Sequence, residues 1–594
     1  MFGFRPQLST QDVMLQLSED VLHPSHHKRT RAILALDLTK AFDNVHHTAI
    51  LDALSSLDVG PRVHAYITAF LAHRTAEISY GPLSSSFSLG NKGTPQGSVL
   101  SPILFNITLF PLARALSTIP ALSHAFYADD ITLWVTTGNI GDIEATLQAG
   151  VDAVTTHARA IGLSCSPTKS GLLVLLPRGM APLSPFPLTV SVDGTPLPLV
   201  STLRILGLFL QSNGKHTTLI TQLSNTVHQT MRLIRRIANR HHGMREHDLR
   251  RLVQAFVLSR FVYSLPYLFL SRTEEDKVNS LIRQAYKSAL SLPTSTSTAR
   301  LLSMGVHNSL TELTEAHRTA QLLRLSRSRP GRALLSTLKL SPLMPLPTSL
   351  PIPSHISSLL TVDPLPKNMH PEHHPSRRAA RASALWRRFG RQPAVAYVDA
   401  APYRHYTAHA LAVTDNSLRP TITASVCTST SVEAEEAAIA LAITQTSAEY
   451  IFCDSKPAVY NYAVGRVAPP AAGILRSGTT PSRPIYIIWV PAHAGHPGNE
   501  AANSIARDST DRASPPPPGM NTRDALLTYH DITLHYRLSR LTLPPPHKSL
   551  SQHHQHLWRQ LQAHTFLTPE RLALFHPGTY SPACRLCGSS NAQL

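Results

Sequence analysis

Ala125-Phe126-Tyr127-Ala128-Asp129-Asp130-Ile131-Thr132-Leu133-Trp134-Val135 is the stretch that decides the fold. Two short apolar runs flank Tyr127-Ala128-Asp129-Asp130, which reads as two strands joined by a tight turn with paired carboxylates at its tip. Asp is common in hairpin turns for purely local reasons. Two adjacent carboxylates on an apolar hairpin, however, are costly to keep charged unless a cation neutralises them, and hard oxygen ligands suit magnesium or manganese.

Working outward, Ala32-Ile33-Leu34-Ala35-Leu36-Asp37-Leu38 is a second buried-strand pattern carrying a carboxylate, followed by Thr39-Lys40-Ala41-Phe42-Asp43. Between the two lies Gly93-Thr94-Pro95-Gln96-Gly97-Ser98-Val99-Leu100-Ser101-Pro102. In this order the three motifs resemble those of the reverse transcriptases of non-LTR (LINE-like) retrotransposons: Asp-x-x-x-Ala-Phe-Asp, Gly-x-Pro-Gln-Gly-x-x-x-Ser-Pro and Phe/Tyr-Ala-Asp-Asp. The resemblance implies a right-hand polymerase palm, an antiparallel sheet plus helices, that copies RNA into DNA from a primer 3′-end. It implies two divalent ions, Mg2+ or Mn2+, about 3.5–4 Å apart. Asp37 and Asp129 are their expected ligands, with Asp130 supporting and the Leu38 carbonyl helping on the nucleotide side.

The same resemblance assigns the surrounding residues. Phe42 is expected under the sugar, where a bulky ring excludes a ribose 2′-hydroxyl. Gln96 and Gly97 form a turn that the incoming dNTP approaches closely, since Gly97 has no side chain. Tyr127 and Ala128 are expected to contact the primer end and the nucleotide. Lys169, in Gly162-Leu163-Ser164-Cys165-Ser166-Pro167-Thr168-Lys169, matches a family lysine near the leaving pyrophosphate, where it would act as a general acid or counter-charge; the family often has Asn where Ser166 stands. Leu203-Arg204-Ile205-Leu206-Gly207 resembles the strand that grips the primer. Gly3-Phe4-Arg5-Pro6 resembles a motif that follows the first fingers strands, which makes Arg5 a substrate-binding candidate and suggests an open reading frame truncated at both ends.

A second set of acidic residues follows. Val395-Ala396-Tyr397-Val398-Asp399 and Tyr450-Ile451-Phe452-Cys453-Asp454 read as strands, and Ser431-Val432-Glu433-Ala434-Glu435-Glu436 opens a helix with Ser431 as its cap. With Trp489-Val490-Pro491-Ala492-His493-Ala494-Gly495-His496-Pro497-Gly498-Asn499-Glu500 they resemble a type 1 ribonuclease H. That implies Asp399, Glu435 and Asp454 as ligands of a further metal pair, with His493 shuttling a proton. Asn503 stands where the family has a fourth Asp, so reduced or altered hydrolysis of an RNA–DNA hybrid is expected.

Composition agrees with a nucleic-acid partner. The 594 residues carry 55 Lys+Arg against 36 Asp+Glu, a formal net charge of +19, with 32 His. Five Cys suggest no disulfide framework; Cys165, Cys427 and Cys453 read as small core residues. The segment 252–270 is interrupted by Arg260 and Pro266 and reads as a buried helix pair rather than a membrane span.

The expected organisation is multidomain α+β. Partial fingers and palm occupy 1–215, a helical thumb or connection 216–328, a Pro-rich linker 329–390, a separate five-stranded ribonuclease H-like mixed α/β domain 391–512, and a tail 513–594. Within the palm, one long helix is expected over 99–116 and one strand over 203–210. The tail ends in Cys584-x-x-Cys587, half of a knuckle that needs four ligands, so zinc is not expected. The partners implied are RNA template, DNA primer or target, RNA–DNA hybrid and dNTPs, with no membrane and an intracellular location in cytoplasm and nucleus. The alternative is a catalytically impaired nucleic-acid-binding remnant of such an element.

Overall fold

The computed structural model describes all residues except 178, 181–186, 239–242, 344–348, 405–407, 429, 512–526, 548, 585–586 and 591–594. The proline-rich start of the expected tail, residues 514–519, lies outside the described residues. Two compact units emerge. The first comprises Met1–Thr296, Ser309–Leu343 and Ser549–Leu594, and the second Ser297–Asn308 and Met344–Lys548.

The first unit is built on a four-stranded antiparallel sheet. Its strands are β1 (Arg31–Asp37), β2 (Ser123–Tyr127), β3 (Asp130–Val135) and β4 (Gly171–Leu175), in the spatial order β2-β3-β1-β4. The central strand β1 is buried on both faces, as its unbroken apolar run requires. It pairs with β3 from Ala32↔Val135 to Asp37↔Asp130, and with β4 from Arg31↔Leu175 to Ala35↔Gly171.

Helix α1 (Thr10–Leu17) precedes the sheet, and helix α2 (Ile140–Ala160) backs it through Ile143, Leu147, Val151 and Val154. Burying each such side chain contributes roughly 1.5–3 kcal/mol. Gly150 sets how close this helix lies: a Cβ there would stand 3.0 Å from Leu122 Cδ2 and 3.1 Å from Leu133 Cδ1.

Several elements differ from expectation. The single helix expected over 99–116 is two, Ser101–Thr108 and Phe110–Ser117. Leu109 joins them, and Pro111, which has no N–H to continue a helical ladder, sits in the first turn of the second. The strand expected over 203–210 is a hairpin, Thr202–Ile205 with Leu208–Gln211, because Leu206 and Gly207 both take positive φ (+50° and +91°) at its turn. An exposed hairpin, Thr75–Tyr80 with Leu83–Ser88, was not foreseen at all.

Beyond the sheet the first unit is helical. Helix α3 (Thr217–Ile237) buries Leu219, Ile220, Leu223, Val227, Met231 and Ile234 at helical spacing. Helices α4 (Arg272–Ala289) and α5 (Leu310–Ser326) both begin with capping boxes, Ser271 with Glu274 and Ser309 with Glu312. Across 252–270 the chain breaks into short helical turns, and no helix among the described residues is long and apolar enough to cross a membrane.

Asp12 of α1 is fully buried. It receives Arg324 of α5 through Nη2 at 2.6 Å and Nη1 at 3.1 Å, and Gln321 Nε2 at 2.8 Å. The helix Gln552–Gln562 also belongs to this unit: its Arg559 is 2% exposed and clasps Glu246 through two bonds of 2.7 and 2.9 Å.

The second unit carries a six-stranded mixed sheet, not the five strands expected. Its strands are β5 (Leu360–Val362), β6 (Val395–Pro402), β7 (His409–Thr414), β8 (Pro420–Val426), β9 (Tyr450–Cys453) and β10 (Ile485–Trp489), in the order β5-β10-β9-β6-β7-β8. The pairs β5–β10, β10–β9 and β9–β6 are parallel; β6–β7 and β7–β8 are antiparallel.

The extra strand β5 and helix α6 (Pro375–Phe389) come from the segment expected to be a linker. Its apolar residues Ile352, Ile356, Leu360 and Val362 join the sheet's core, so proline density did not prevent packing. Helix α6 covers one face with Leu385, Trp386 and Phe389. Helices α7 (Ser431–Gln445), α8 (Lys456–Val464) and α9 (Pro469–Ser477) cover the other. Helix α10 (Pro497–Asp508) completes the first face through Ala502.

Of the three cysteines expected in the core, Cys453 is buried, Cys165 is half-buried and Cys427 is exposed.

Candidate active sites

The first site forms where β1, the β2–β3 hairpin and three loops converge. Asp37, the last residue of β1, faces Asp130 directly across the ladder, so the two side chains lie on one face of the sheet. Tyr127 pairs with Asp130, leaving Ala128 and Asp129 as the two turn residues; Ala128 takes φ +55°. The amino-terminal segment presses on this turn. Phe2 N–H donates to Phe126 O at 2.7 Å, Asn106 Nδ2 donates to Gly3 O at 2.7 Å, and a Cβ at Gly3 would come within 2.6 Å of Ala128 N.

Desolvation, then the charges of Asp129 and Asp37, raise the Asp130 carboxyl above the usual range, while Arg204 opposes the shift. Solvent still reaches Asp130. Like charge is therefore crowded at the hairpin tip. Among the described residues no group of three or more His, Cys, Asp or Glu side chains is drawn close enough to hold a metal ion. Carboxylate oxygens that solvent can reach are the donors a hard divalent cation takes.

A cation on the chain already reaches this group. Lys169 Nζ stands 3.9 Å from Asp37 Oδ2. The turn that carries it is tied to Asp37 itself: Ser166 N–H donates to Asp37 O at 2.9 Å, Asp37 N–H donates to Ser170 Oγ at 3.2 Å, and Ser170 Oγ donates to Ser166 O at 2.7 Å.

On the other side, the 93–97 loop is laid along the turn that follows Asp37. Thr94 N–H donates to Phe42 O at 2.7 Å, and Gln96 Nε2 donates to Asp43 Oδ1 at 2.9 Å. The Phe42 ring lies 4.6 Å from that of Phe105 and 6.4 Å from that of Phe4. Gly97 has φ +88° and open space where a Cβ would stand.

The second site lies in the second unit, where Asp399 within β6, Asp454 just past β9 and Glu435 on α7 meet. Glu435, near the start of α7, accepts from Ala400 N–H at 3.1 Å and meets Cys453 Sγ at 3.5 Å. Burial, then Asp454, pushes the Asp399 carboxyl up to about 8, against the Ala400 N–H and Arg507. Burial, then Asp399 and Asp454, pushes Glu435 well above its ordinary value. Burial raises Asp454 too, while Asn499, His493 and Arg378 hold it down. Three carboxyls with raised proton affinity in one buried spot favour a shared proton or a neutralising cation.

The neighbouring glutamates are otherwise engaged. Glu436 accepts from Asn461 Nδ2 and Ala468 N–H, both at 2.6 Å, and Glu433 accepts from the Thr428 hydroxyl. Thr430, not Ser431, caps α7.

The loop 491–496 brings His493, at φ +50°, toward Asp454. Asn499 Nδ2 donates to Asp454 Oδ2 at 3.0 Å, and Asn503 stands one turn further along α10. A Cβ on Gly498 would lie 2.5 Å from the Tyr397 ring, so only glycine lets α10 start this close to β6.

Residues 1–210 match the family described as reverse transcriptase (RNA-dependent DNA polymerase). They form a reverse transcriptase domain of the non-LTR retrotransposon kind. The chain is 29% identical over 210 residues to the Retrovirus-related Pol polyprotein from type-1 retrotransposable element R2 of Popillia japonica, covering 33% of this chain and 29% of that protein. It is 29% identical over 157 residues to the RNA-directed DNA polymerase from mobile element jockey of Drosophila funebris, covering 26% of this chain and 17% of that protein. The chain thus spans less than a third of the length of either relative. A telomerase structure from Candida albicans with a fragment of telomeric RNA aligns at 11% identity and TM-score 0.22, over 57% of this chain and 55% of that one.

Within the reverse transcriptase domain, Asp37, Leu38, Asp129, Asp130 and Lys169 come together at the hairpin tip, and Phe42, Gln96 and Gly97 line the loop beside it. Tyr127 is half-buried, Ala128 buried and Arg5 exposed. Reverse transcriptases generally work with divalent metal ions.

Four residues are given no role of their own by the motifs. Ser170 fixes the Asp37 backbone, and Arg204 acts on Asp130, although only the strand around it had been singled out. In the second unit Asn499 holds Asp454 and Arg378 acts on it. The arginine-rich run 377–388 was the available signal for Arg378, and it fell inside the expected linker.

Proposed function

We propose that this chain copies RNA into DNA by extending a primer 3′-end, and that its second unit hydrolyses the RNA strand of the resulting hybrid. The observation that carries the polymerase reading is Asp37 directly opposite Asp130, with Asp129 in the turn between strands and Lys169 beside Asp37.

In this reading Asp37, Asp129 and Asp130, with the Leu38 carbonyl, hold two divalent ions, Mg2+ or Mn2+. Those ions would lower the pKa of the primer hydroxyl and neutralise charge on the triphosphate. Lys169 supplies a proton or a counter-charge to the departing pyrophosphate. Phe42, braced by Phe105, blocks a ribose 2′-hydroxyl and so selects dNTPs. Gly97 lets the backbone approach the nucleotide, and Gln96 is steadied by Asp43 for the same purpose. Arg5, Tyr127 and Ala128 border the primer and nucleotide. The helices of residues 216–328 offer a cationic face to the duplex backbone, consistent with the net charge of +19.

In the second unit the architecture of a mixed sheet with Asp399 within β6, Asp454 just past β9 and Glu435 near the start of α7 supports a ribonuclease H-like reading. The carboxylates would hold a metal pair that activates water, and His493 would carry a proton at the leaving group. Asn503 supports the rival reading for this unit, a binding remnant with impaired hydrolysis, because a neutral amide is a weaker ligand than a carboxylate.

The test is primer extension on an RNA template with magnesium, comparing the chain with Asp129→Ala. Equal incorporation by the two would refute the polymerase assignment. Cleavage of an RNA–DNA hybrid, compared with Asp454→Asn, tests the second unit separately.

A further inference from the structure

Two cations lie over one indole beside the second acidic trio, and a third stands nearby. The Arg381 guanidinium lies 5.7 Å from the centroid of the Trp489 ring, and Lys456 Nζ lies 4.4 Å from it. The same indole donates through Nε1 to Asp454 O at 2.8 Å, so the cluster is tied to the acidic residue itself. Arg378, one helical turn before Arg381 on α6, donates through Nη2 to Ala492 O at 2.7 Å, next to His493.

The other partners of these cations are also carbonyl oxygens. Arg378 Nη1 donates to Met369 O at 3.1 Å. Arg381 donates to Trp489 O through Nε at 3.3 Å and Nη2 at 3.1 Å. Lys456 Nζ donates to Pro366 O at 3.4 Å. Among the described residues none of the three is ion-paired with a carboxylate within 4.0 Å. Carbonyl dipoles orient a cation without cancelling its charge, and the carboxylates that act on the cluster, Asp363 on Arg381 and Asp454 on Arg378, stand beyond ion-pair distance, so the positive charges of Arg378 and Arg381 still act on Lys456. Such a cluster is stabilised by a polyanion, and a guanidinium fork matches the oxygens of a phosphate.

We propose that α6 and Lys456 form a phosphate clamp that grips the backbone of an RNA–DNA hybrid next to the bond positioned at Asp399, Glu435 and Asp454. The proposal rests on the hydrolase reading of the second unit and adds to it a binding surface. A strand whose scissile phosphate sits at the trio must continue past it, and the Trp489 cluster occupies that flank. The segment expected to be a linker thereby becomes the element that holds the substrate.

Two measurements on the full chain test this. In the first, hybrid cleavage is followed over a salt series for the parent, Lys456→Gln, Arg381→Gln and Arg476→Gln. Arg476 is exposed on α9, which covers the opposite face of the sheet from α6. Each clamp variant should raise KM severalfold and flatten the slope of log(kcat/KM) against log[salt] by about one, the loss of one phosphate contact. Arg476→Gln should match the parent.

The second measurement needs no turnover: acetylation of Lys456 by an amine-reactive reagent, read by peptide mass spectrometry, with and without hybrid. Protection of Lys456 is expected. Protection without cleavage would retain the clamp and refute the hydrolase reading. Cleavage without protection, and with unchanged salt slopes, would overturn the clamp and leave the hydrolase reading intact. Neither protection nor cleavage would overturn both. If Arg381→Gln fails to fold, Lys456→Gln and the acetylation pattern decide.

Discussion

Asp37 and Asp130 stand directly opposite each other on neighbouring antiparallel strands. That one register places the end of a buried strand beside a hairpin tip nearly a hundred residues away in sequence. A slip of one residue would send Asp130 to the other face of the sheet, so the ladder itself sets the geometry of the acidic site. Asp37→Asn and Asp129→Asn are each expected to lower primer extension on an RNA template by on the order of a thousandfold, the several kcal/mol that cation-held catalysis supplies. Circular dichroism should show an unchanged fold, since both residues lie at the solvent edge of the sheet.

Phe42 links sugar selection to packing. Its ring rests 4.6 Å from Phe105 and its carbonyl accepts from Thr94. Phe42→Val is expected to shift the ratio of kcat/KM for dNTP over rNTP toward ribonucleotides by about tenfold or more, because the steric rejection is removed rather than an attraction added. Single-nucleotide incorporation with matched dNTP and rNTP pairs measures this. A small loss of stability should accompany it, about 1–3 kcal/mol from the vacated contact with Phe105.

The brace between α1 and α5 concerns stability rather than chemistry. Asp12 is fully buried and its charge is met by Arg324 and Gln321. Arg324→Ala leaves that carboxylate without its cation, and a loss of about 3–5 kcal/mol is expected. The double variant Asp12→Asn with Arg324→Gln should recover part of it, because no uncompensated charge remains. Denaturant unfolding of the full chain followed by tryptophan fluorescence distinguishes the two.

Much of this arrangement is legible in the sequence, and the exceptions have physical causes. The three polymerase motifs are local patterns of strand, turn and carboxylate, and each residue they name lies where its own short segment must put it. Glu435 could be picked from three neighbouring glutamates because its position precedes an apolar helix face; Glu436, one residue on, instead points at Asn461 and the Ala468 N–H. The Leu206-Gly207 turn was missed because Leu at positive φ is unusual and the flanking apolar run hides it. Strand β5 and helix α6 were missed for another reason. Their residues gain order from the sheet they join, Leu360–Val362 from Ile485–Ile487 and Phe389 from Tyr450 and Phe452, and composition alone reads such a stretch as linker.

His496 makes the second unit sensitive to acid. It is 1% exposed, its ring packs on Phe452 and Tyr397, and its Nδ1 accepts from Asn499 N–H at 3.3 Å to cap α10. Burial lowers its pKa to about 4, from an ordinary value near 6.5. Between those values the unfolded chain binds a proton that the folded chain refuses, so stability is full above about pH 6.5 and falls as pH drops toward 4. The whole interval accounts for on the order of 3 kcal/mol. His496→Asn keeps a capping acceptor without the titration. It is expected to flatten the decline of thermal stability between pH 7 and 4.5, measured by scanning calorimetry, in the transition of the second unit.

Asn503 offers the sharpest contrast in the second site. Asn499 is spent on Asp454, its Nδ2 3.0 Å from the carboxylate, and Asn503 follows one turn later on α10. Burial raises all three carboxyls of Asp399, Glu435 and Asp454, and charge repulsion adds to it at Asp399 and Glu435. A fourth carboxylate adds repulsion to the cation-free protein and attraction to the cation-bound one. Asn503→Asp should therefore lower thermal stability slightly in chelator, restore it in magnesium, and raise the rate of hybrid cleavage by roughly tenfold or more if a ligand is what the parent lacks. A variant that cleaves no faster, yet shows the same magnesium-dependent rise in melting temperature, would place the weakness of the site in proton transfer at His493 rather than in metal binding.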